Sequence, residues 1–290
     1  MSNKIYLDYT RDELDAQYTN VSSPAAEAAL AAVRERSARN VAELVPERAL
    51  TYGSEPDQRF DLYRATGNDC PALLFFHGGQ WQRGDTGAFA AWADVMVDRG
   101  VTFVDGTTTQ IPHARLPEII DQAVALVRYV RDHAATHGIA PGRLVVSGQS
   151  SGAHLAASAL VRLANDNDLD GIAGAFLFSG NYDLRPLMLS YRADYLQLSA
   201  AETTAASPLL TLEAPLPPTM VAVGDAETDE FQRQSHTFHA ALEALGPAEL
   251  RVIPGANHFT VYADLYQPGT PSWRFLETCL DLPPISAAAE

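Results

Sequence analysis

The sequence predicts an α/β fold: a mainly parallel central sheet with helices on both faces, in a single domain over 1–290, with a small cap-like insertion at about 181–218. Three observations predict it. Short, nearly continuous apolar runs recur along the chain, as strands covered on both faces require. Segments with apolar residues at helical spacing lie between most of them. Glycine-rich motifs follow directly after several runs, where ligands bind in sheets of this kind.

The elements follow in order. Ser22-Ser23-Pro24 reads as a helix start, with a serine cap and proline in the first turn, and opens an Ala-rich helix over 25–44. Strands are expected at 59–63, 72–76, 101–104, 144–147, 173–178, 220–223 and 250–253. Helices are expected at 89–98, 117–137, 151–164, 230–245 and 273–280. The segment 181–218 breaks this alternation. It is rich in Leu, Ala and Pro, carries Tyr182, Tyr191 and Tyr195, and is read as a cap over the active site.

Composition excludes several classes. The 290 residues are 47% hydrophobic and 19% charged, which suits a folded domain with a sizeable core. A net charge of -16 repels nucleic-acid phosphates and anionic lipid, so neither nucleic acid nor membrane is expected as a partner. Cys70 and Cys279 are too few for a disulfide framework or a zinc site. The first residues lack the apolar core of a signal peptide, and no apolar run reaches a membrane span, so a cytoplasmic location is expected. The expected partner is a small-molecule substrate, and a homodimer is left open.

Three motifs carry chemistry. Gly148-Gln149-Ser150-Ser151-Gly152 stands between the strand at 144–147 and a helix, the context of a nucleophile elbow that exposes Ser150 above the sheet. His77-Gly78-Gly79 follows the strand at 72–76. Its glycines let backbone N–H groups of Gly78 and Gly79 approach a developing oxyanion, joined by the N–H of Ser151; such donors lower a barrier by roughly 3–4 kcal/mol each. Asn257-His258-Phe259 follows the last strand and supplies a base for a serine that is a poor nucleophile alone. The acid that orients His258 belongs after the strand at 220–223, where Asp225, Glu227, Asp229 and Glu230 compete; loop position slightly favours Glu227. Asp229 and Glu230 also suit a helix N-terminus, where negative charge is favoured.

The remaining histidines get structural readings. His133 and His137, and His236 and His239, have metal-compatible spacing but no evident third ligand. His154 lies inside the helix after the elbow and is read as structural. No metal and no organic cofactor is expected.

These residues resemble the kynurenine formamidase (arylformamidase) branch of the α/β-hydrolases, which adjoins the hormone-sensitive-lipase-like esterases. The resemblance covers nearly the whole chain. It is carried by Glu13-Leu14-Asp15-Ala16-Gln17-Tyr18, Tyr52-Gly53, Phe60-Asp61-Leu62-Tyr63 and His77-Gly78-Gly79-Gln80-Trp81. Further along it is carried by Ser179-Gly180, Asp183-Leu184, Ser207-Pro208-Leu209, Glu230-Phe231-Gln232-Arg233-Gln234-Ser235 and Asn257-His258-Phe259. It implies Glu227 as the acid and hydrolysis of N-formyl-L-kynurenine without a cofactor. Gln149 stands where the branch usually has His, Ser151 where Ala is common, and Gln80 where an aromatic residue is usual. Val104-Asp105-Gly106-Thr107 lacks a tyrosine often found there. These departures bear on the substrate, not on the serine chemistry. Gln80, Trp81, Gln149, Asn181 and Tyr182 are the expected substrate-binding residues. A carboxylesterase on small acyl esters, a hydrolase of another amide, and a non-catalytic binding module are the competing readings.

Overall fold

The computed structural model describes residues 4–19 and 24–283. The serine cap expected at Ser22-Ser23 lies outside the described residues. Pro24 is the first described residue of the helix it was expected to open.

Eight strands form one sheet in the order β1-β2-β4-β3-β5-β6-β7-β8. They are β1 (Glu47–Thr51), β2 (Arg59–Tyr63), β3 (Cys70–Phe76), β4 (Thr102–Gly106), β5 (Ile139–Gln149), β6 (Ile172–Phe178), β7 (Thr219–Gly224) and β8 (Ala248–Ile253). The pairs β1–β2 and β2–β4 are antiparallel and the rest are parallel. The helices are α1 (Arg11–Gln17), α2 (Pro24–Leu44), α3 (Ala93–Asp98), α4 (Leu116–Asp132) and α5 (Ser151–Asn165). They continue with α6 (Ala193–Leu196), α7 (Ala200–Ala205), α8 (Pro208–Thr211), α9 (Asp229–Glu243) and α10 (Pro271–Cys279).

Alternation along β3 explains why its whole run is apolar. Ala72, Leu74 and Phe76 enter a core with Ile119 and Ala123 of α4 and Leu160 of α5, whereas Leu73 and Phe75 enter a second core with Met96, Trp273 and Leu276. A strand buried on both faces disfavours polar residues at every position. The chain runs from β3 outward to β4, then returns past β3 to β5 and continues the other way to β8. The crevice between β3 and β5 is therefore the topological switch point, and it lies at the carboxyl ends of the strands.

The differences from the sequence reading have local causes. Strand β1 has mostly exposed residues and no apolar alternation, so pattern gave no sign of it; it sits at the sheet edge, where among the described residues it pairs with β2 alone. The helix expected at 117–137 ends at Asp132, and Ala134–His137 tightens into a 3-10 turn closed by left-handed Gly138. The helix expected at 89–98 begins only at Ala93. Segment 181–218 folds into α6, α7, α8 and a 3-10 turn at Leu187–Leu189. Leu184, Leu187, Leu196 and Leu216 plant it in the core, and Ala206 O lies 2.8 Å from His154 Nε2 of α5.

Candidate active site

The backbone places Ser150 before any side chain acts. At the junction of β5 and α5, Ser150 has φ 57° and ψ -122°, a left-handed conformation that turns its side chain out of the sheet. The turn is so tight that a Cβ on Gly152 would lie 2.0 Å from Phe76 O, and one on Gly148 would lie 2.4 Å from Gly152 O. Only glycine fits at either position. The Ser150 N–H is used up by Phe178 O at 2.8 Å, which fastens the turn to β6.

Around Ser150 the structure brings together residues from three strand ends. His258 Nε2 lies 2.9 Å from Ser150 Oγ, and His258 Nδ1 lies 2.6 Å from Glu227 Oε2. The second oxygen of Glu227 accepts from Ser179 Oγ and from the Gly224 N–H at 2.9 Å. The Glu227 side chain is fully buried. Phe231 packs its ring 4.4 Å from the imidazole. The competing carboxylates are occupied elsewhere. Asp225 is exposed and accepts from the Gly255 N–H at 2.6 Å, Glu230 pairs with Arg233 and accepts from Tyr18 Oη, and Asp229 is exposed at the start of α9.

The glycine turn after β3 faces the same point. The N–H groups of Gly78 and Gly79 have no partner among the described residues. Gly79 has φ 134°, and its carbonyl accepts from the N–H groups of Gln82 and Arg83, both at 3.1 Å. His77 is turned away from Ser150. Its ring stacks on Phe89 at 5.1 Å, its Nε2 lies 3.3 Å from Thr107 Oγ1, and burial lowers its pKa.

A cavity of about 150 Å³ opens over Ser150 and His258. Gly78, Gly79, Gln80, Gln149, Phe259 and Tyr262 line it, and Leu30 and Arg34 of α2 close one side. Sequence reasoning missed Leu30, Arg34 and Arg83, because an exposed arginine on an Ala-rich helix carries no local signal of what it faces. Several expected substrate contacts lie elsewhere. Trp81 is buried, donating from Nε1 to His154 Nδ1 at 3.2 Å. Tyr182 is buried and stacks on Phe238 at 4.3 Å, and Asn181 is fully buried. All three are absent from the cavity lining; Trp81 and Tyr182 belong to the apolar core, and Asn181, next to Tyr182 in sequence, is buried with it. None of the residues of 181–218 lines the cavity, and α2 supplies the wall expected of a cap.

His133 stacks on Tyr129 at 4.2 Å and His137 meets the Phe60 ring at 5.5 Å. Among the described residues no group of three His, Cys, Asp or Glu side chains is placed to hold a metal ion. No helix among them is long and apolar enough to cross a membrane.

Residues 73–261, more than half of the chain, match the family described as the alpha/beta hydrolase fold. The chain belongs to that family. This hydrolase is 28% identical to the kynurenine formamidase of Danio rerio over 276 residues, covering 88% of its own length and 92% of the relative's. It is 28% identical to an isoprenylcysteine alpha-carbonyl methylesterase of Arabidopsis thaliana over 247 residues, covering 74% of its own length and 57% of the relative's. Its fold is similar to that of an esterase from Pyrobaculum calidifontis, with a TM-score of 0.69 at 18% identity over 88% of this chain and 94% of the other.

Proposed function

We propose that this alpha/beta hydrolase cleaves an aryl formamide, N-formyl-L-kynurenine, to L-kynurenine and formate through a formyl-enzyme on Ser150. The observation that carries the mechanism is the unbroken chain Glu227–His258–Ser150, facing a small cavity beside unpartnered glycine N–H groups. Ser150 Oγ attacks the formyl carbon while His258 Nε2 takes the hydroxyl proton. The negative charge that forms on the carbonyl oxygen is received by the N–H groups of Gly78, Gly79 and Ser151. Glu227 holds Nδ1 protonated and steadies the imidazolium. His258 then returns its proton to the departing aryl amine. A water molecule, deprotonated by His258, attacks the formyl-serine and releases formate. The formyl group is the smallest acyl unit, which suits a cavity of about 150 Å³, well below the ~300 Å³ of a typical ligand pocket.

A second reading, a carboxylesterase on small acyl esters, draws support from the methylesterase relative. Both reactions use the same groups, so the substrate separates them. The test is kcat/KM for N-formyl-L-kynurenine beside 4-nitrophenyl acetate, with Ser150→Ala as the blank. A clear preference for the formamide supports the first reading. Ester turnover with no formamide cleavage rejects it and leaves the esterase. If neither substrate turns over and a fluorophosphonate probe fails to label Ser150, the fold serves as a binding module.

A further inference from the structure

We infer that Arg34 and Arg83 form an anion-recognising rim on the catalytic cavity, so that the substrate carries a carboxylate or similar anion on its leaving-group side. Placing the charge on that side rests on the proposed small acyl unit, which has no room for a charge of its own. The rim itself stands on separate observations.

The chain is strongly acidic, with 36 Asp and Glu against 20 Lys and Arg. The cavity reverses that balance. Among the described residues that line it there is no Asp or Glu, but there are two arginines, Arg34 and Arg83. Glu227 sits behind His258 with its side chain fully buried and is not part of the lining. Several neighbouring arginines are neutralised within the protein, Arg36 by Asp94, Arg48 by Asp61 and Arg59 by Asp85; Arg39 of α2 makes no ion pair with a described residue but does not line the cavity. Arg34 and Arg83 make no ion pair with any described residue. Each is a charge that the fold leaves available at the catalytic opening.

Their placement has two independent supports. Arg34 lies one helical turn after Leu30 on α2, so the two share a face, and both line the cavity. Arg83 is fixed to the glycine turn, since its N–H donates to Gly79 O. Two unpaired cations at one cavity repel each other and repel a cationic ligand. An anion relieves both effects, and a carboxylate also matches the planar fork of a guanidinium. In a protein of net charge -16, such a rim selects an anionic substrate that the rest of the surface repels.

The experiment compares 4-acetoxybenzoate with 4-acetoxybenzamide, which share an acetyl group and differ in the charge of the leaving phenol. The wild type should prefer the carboxylate, and that preference should shrink as salt rises. In Arg34→Gln and in Arg83→Gln the ratio of the two kcat/KM values should fall about tenfold or more, the weight of one hydrogen bond to a charged group. Arg83→Glu should lower it further than Arg83→Gln. A ratio unmoved in one variant removes that arginine from the rim, and a ratio unmoved in both overturns the inference. N-formyl-L-kynurenine turnover, measured alongside, keeps the two ideas apart. Its absence beside an arginine-dependent ratio rejects the formamide reading alone, and its presence beside an unmoved ratio rejects the rim alone.

Discussion

The side-chain amide of Gln149 donates to the backbone carbonyl of His258 at 2.7 Å. The residue preceding Ser150 thus holds the loop that carries the imidazole, and Ser150 and His258 share one frame. Gln149 also lines the cavity, but its donor is committed to this tie. Changing Gln149→Ala should loosen the His258 loop and lower kcat by about 10- to 100-fold, the scale of a misplacement near 1 Å. Steady-state kinetics with a small acyl ester would show it as a loss mainly in kcat. A loss confined to KM would return Gln149 to direct substrate binding.

Glu227 and Asp225 stand on the same loop, yet only Glu227 reaches Nδ1 of His258. Glu227→Gln should cut kcat about 10⁴-fold, since an amide stabilises the wrong imidazole tautomer. Asp225→Asn should cost far less, because among the described residues its carboxylate accepts only from the Gly255 N–H. Near-normal turnover in Glu227→Gln would move the acid's role to a neighbour.

Asp105 faces Asp61 across the β2–β4 pair and is fully buried. Burial pushes its carboxyl up to about 8; the Gly87 N–H opposes this, Asp61 and Asp85 add to it, and Arg48 opposes it again. In the unfolded chain the same group titrates near ~4. Between those values the folded protein holds a proton that the unfolded chain releases. The group's contribution to stability therefore falls as pH rises from about 4 to about 8, then levels off. Asp105→Asn keeps an acceptor for Gly87 and removes the titration. Its urea midpoint should gain on that of the wild type as pH rises through this range. A constant difference would mean that Asp105 is charged in the fold at neutral pH.

His154 is buried between Trp81 and Ala206, bonded to both, and burial lowers its pKa to about 4. His154→Ala strands the Trp81 Nε1–H and the Ala206 carbonyl. Leaving such groups unpaired costs about 1–3 kcal/mol each, so the melting temperature should drop by several degrees. The fraction of protein that remains folded should still react with a fluorophosphonate, since the His154 side chain bonds Trp81, Ala206 and Ser158, and its one tie to Ser150, a backbone N–H to the Ser150 carbonyl at 3.1 Å, survives the substitution. Loss of labelling in the folded variant would give His154 a part in the chemistry.

Much of this protein was legible in its sequence, for physical reasons. A strand buried on both faces favours apolar residues on both, so β3, β5, β6 and β7 announced themselves as mainly apolar runs. A turn that packs Gly152 against Phe76 O admits only glycine, so the elbow left a fixed pattern around Ser150. Chain order placed His258 after the last strand. Tertiary structure alone decided the rest. Among nearby carboxylates, the choice depended on which one the Gly224 N–H and Ser179 could orient toward the imidazole, a contact spanning 48 residues in the case of Ser179. Asn181 and Tyr182, from the cap region, and Trp81, from the motif after β3, were expected at the pocket, but all three are buried, Trp81 and Tyr182 in the apolar core. The cavity wall came instead from Leu30 and Arg34, on a helix whose own pattern showed only an exposed face. Local sequence records the constraints a residue meets from its chain neighbours. It does not record which distant surface that residue comes to face, and here that partnership shapes the pocket.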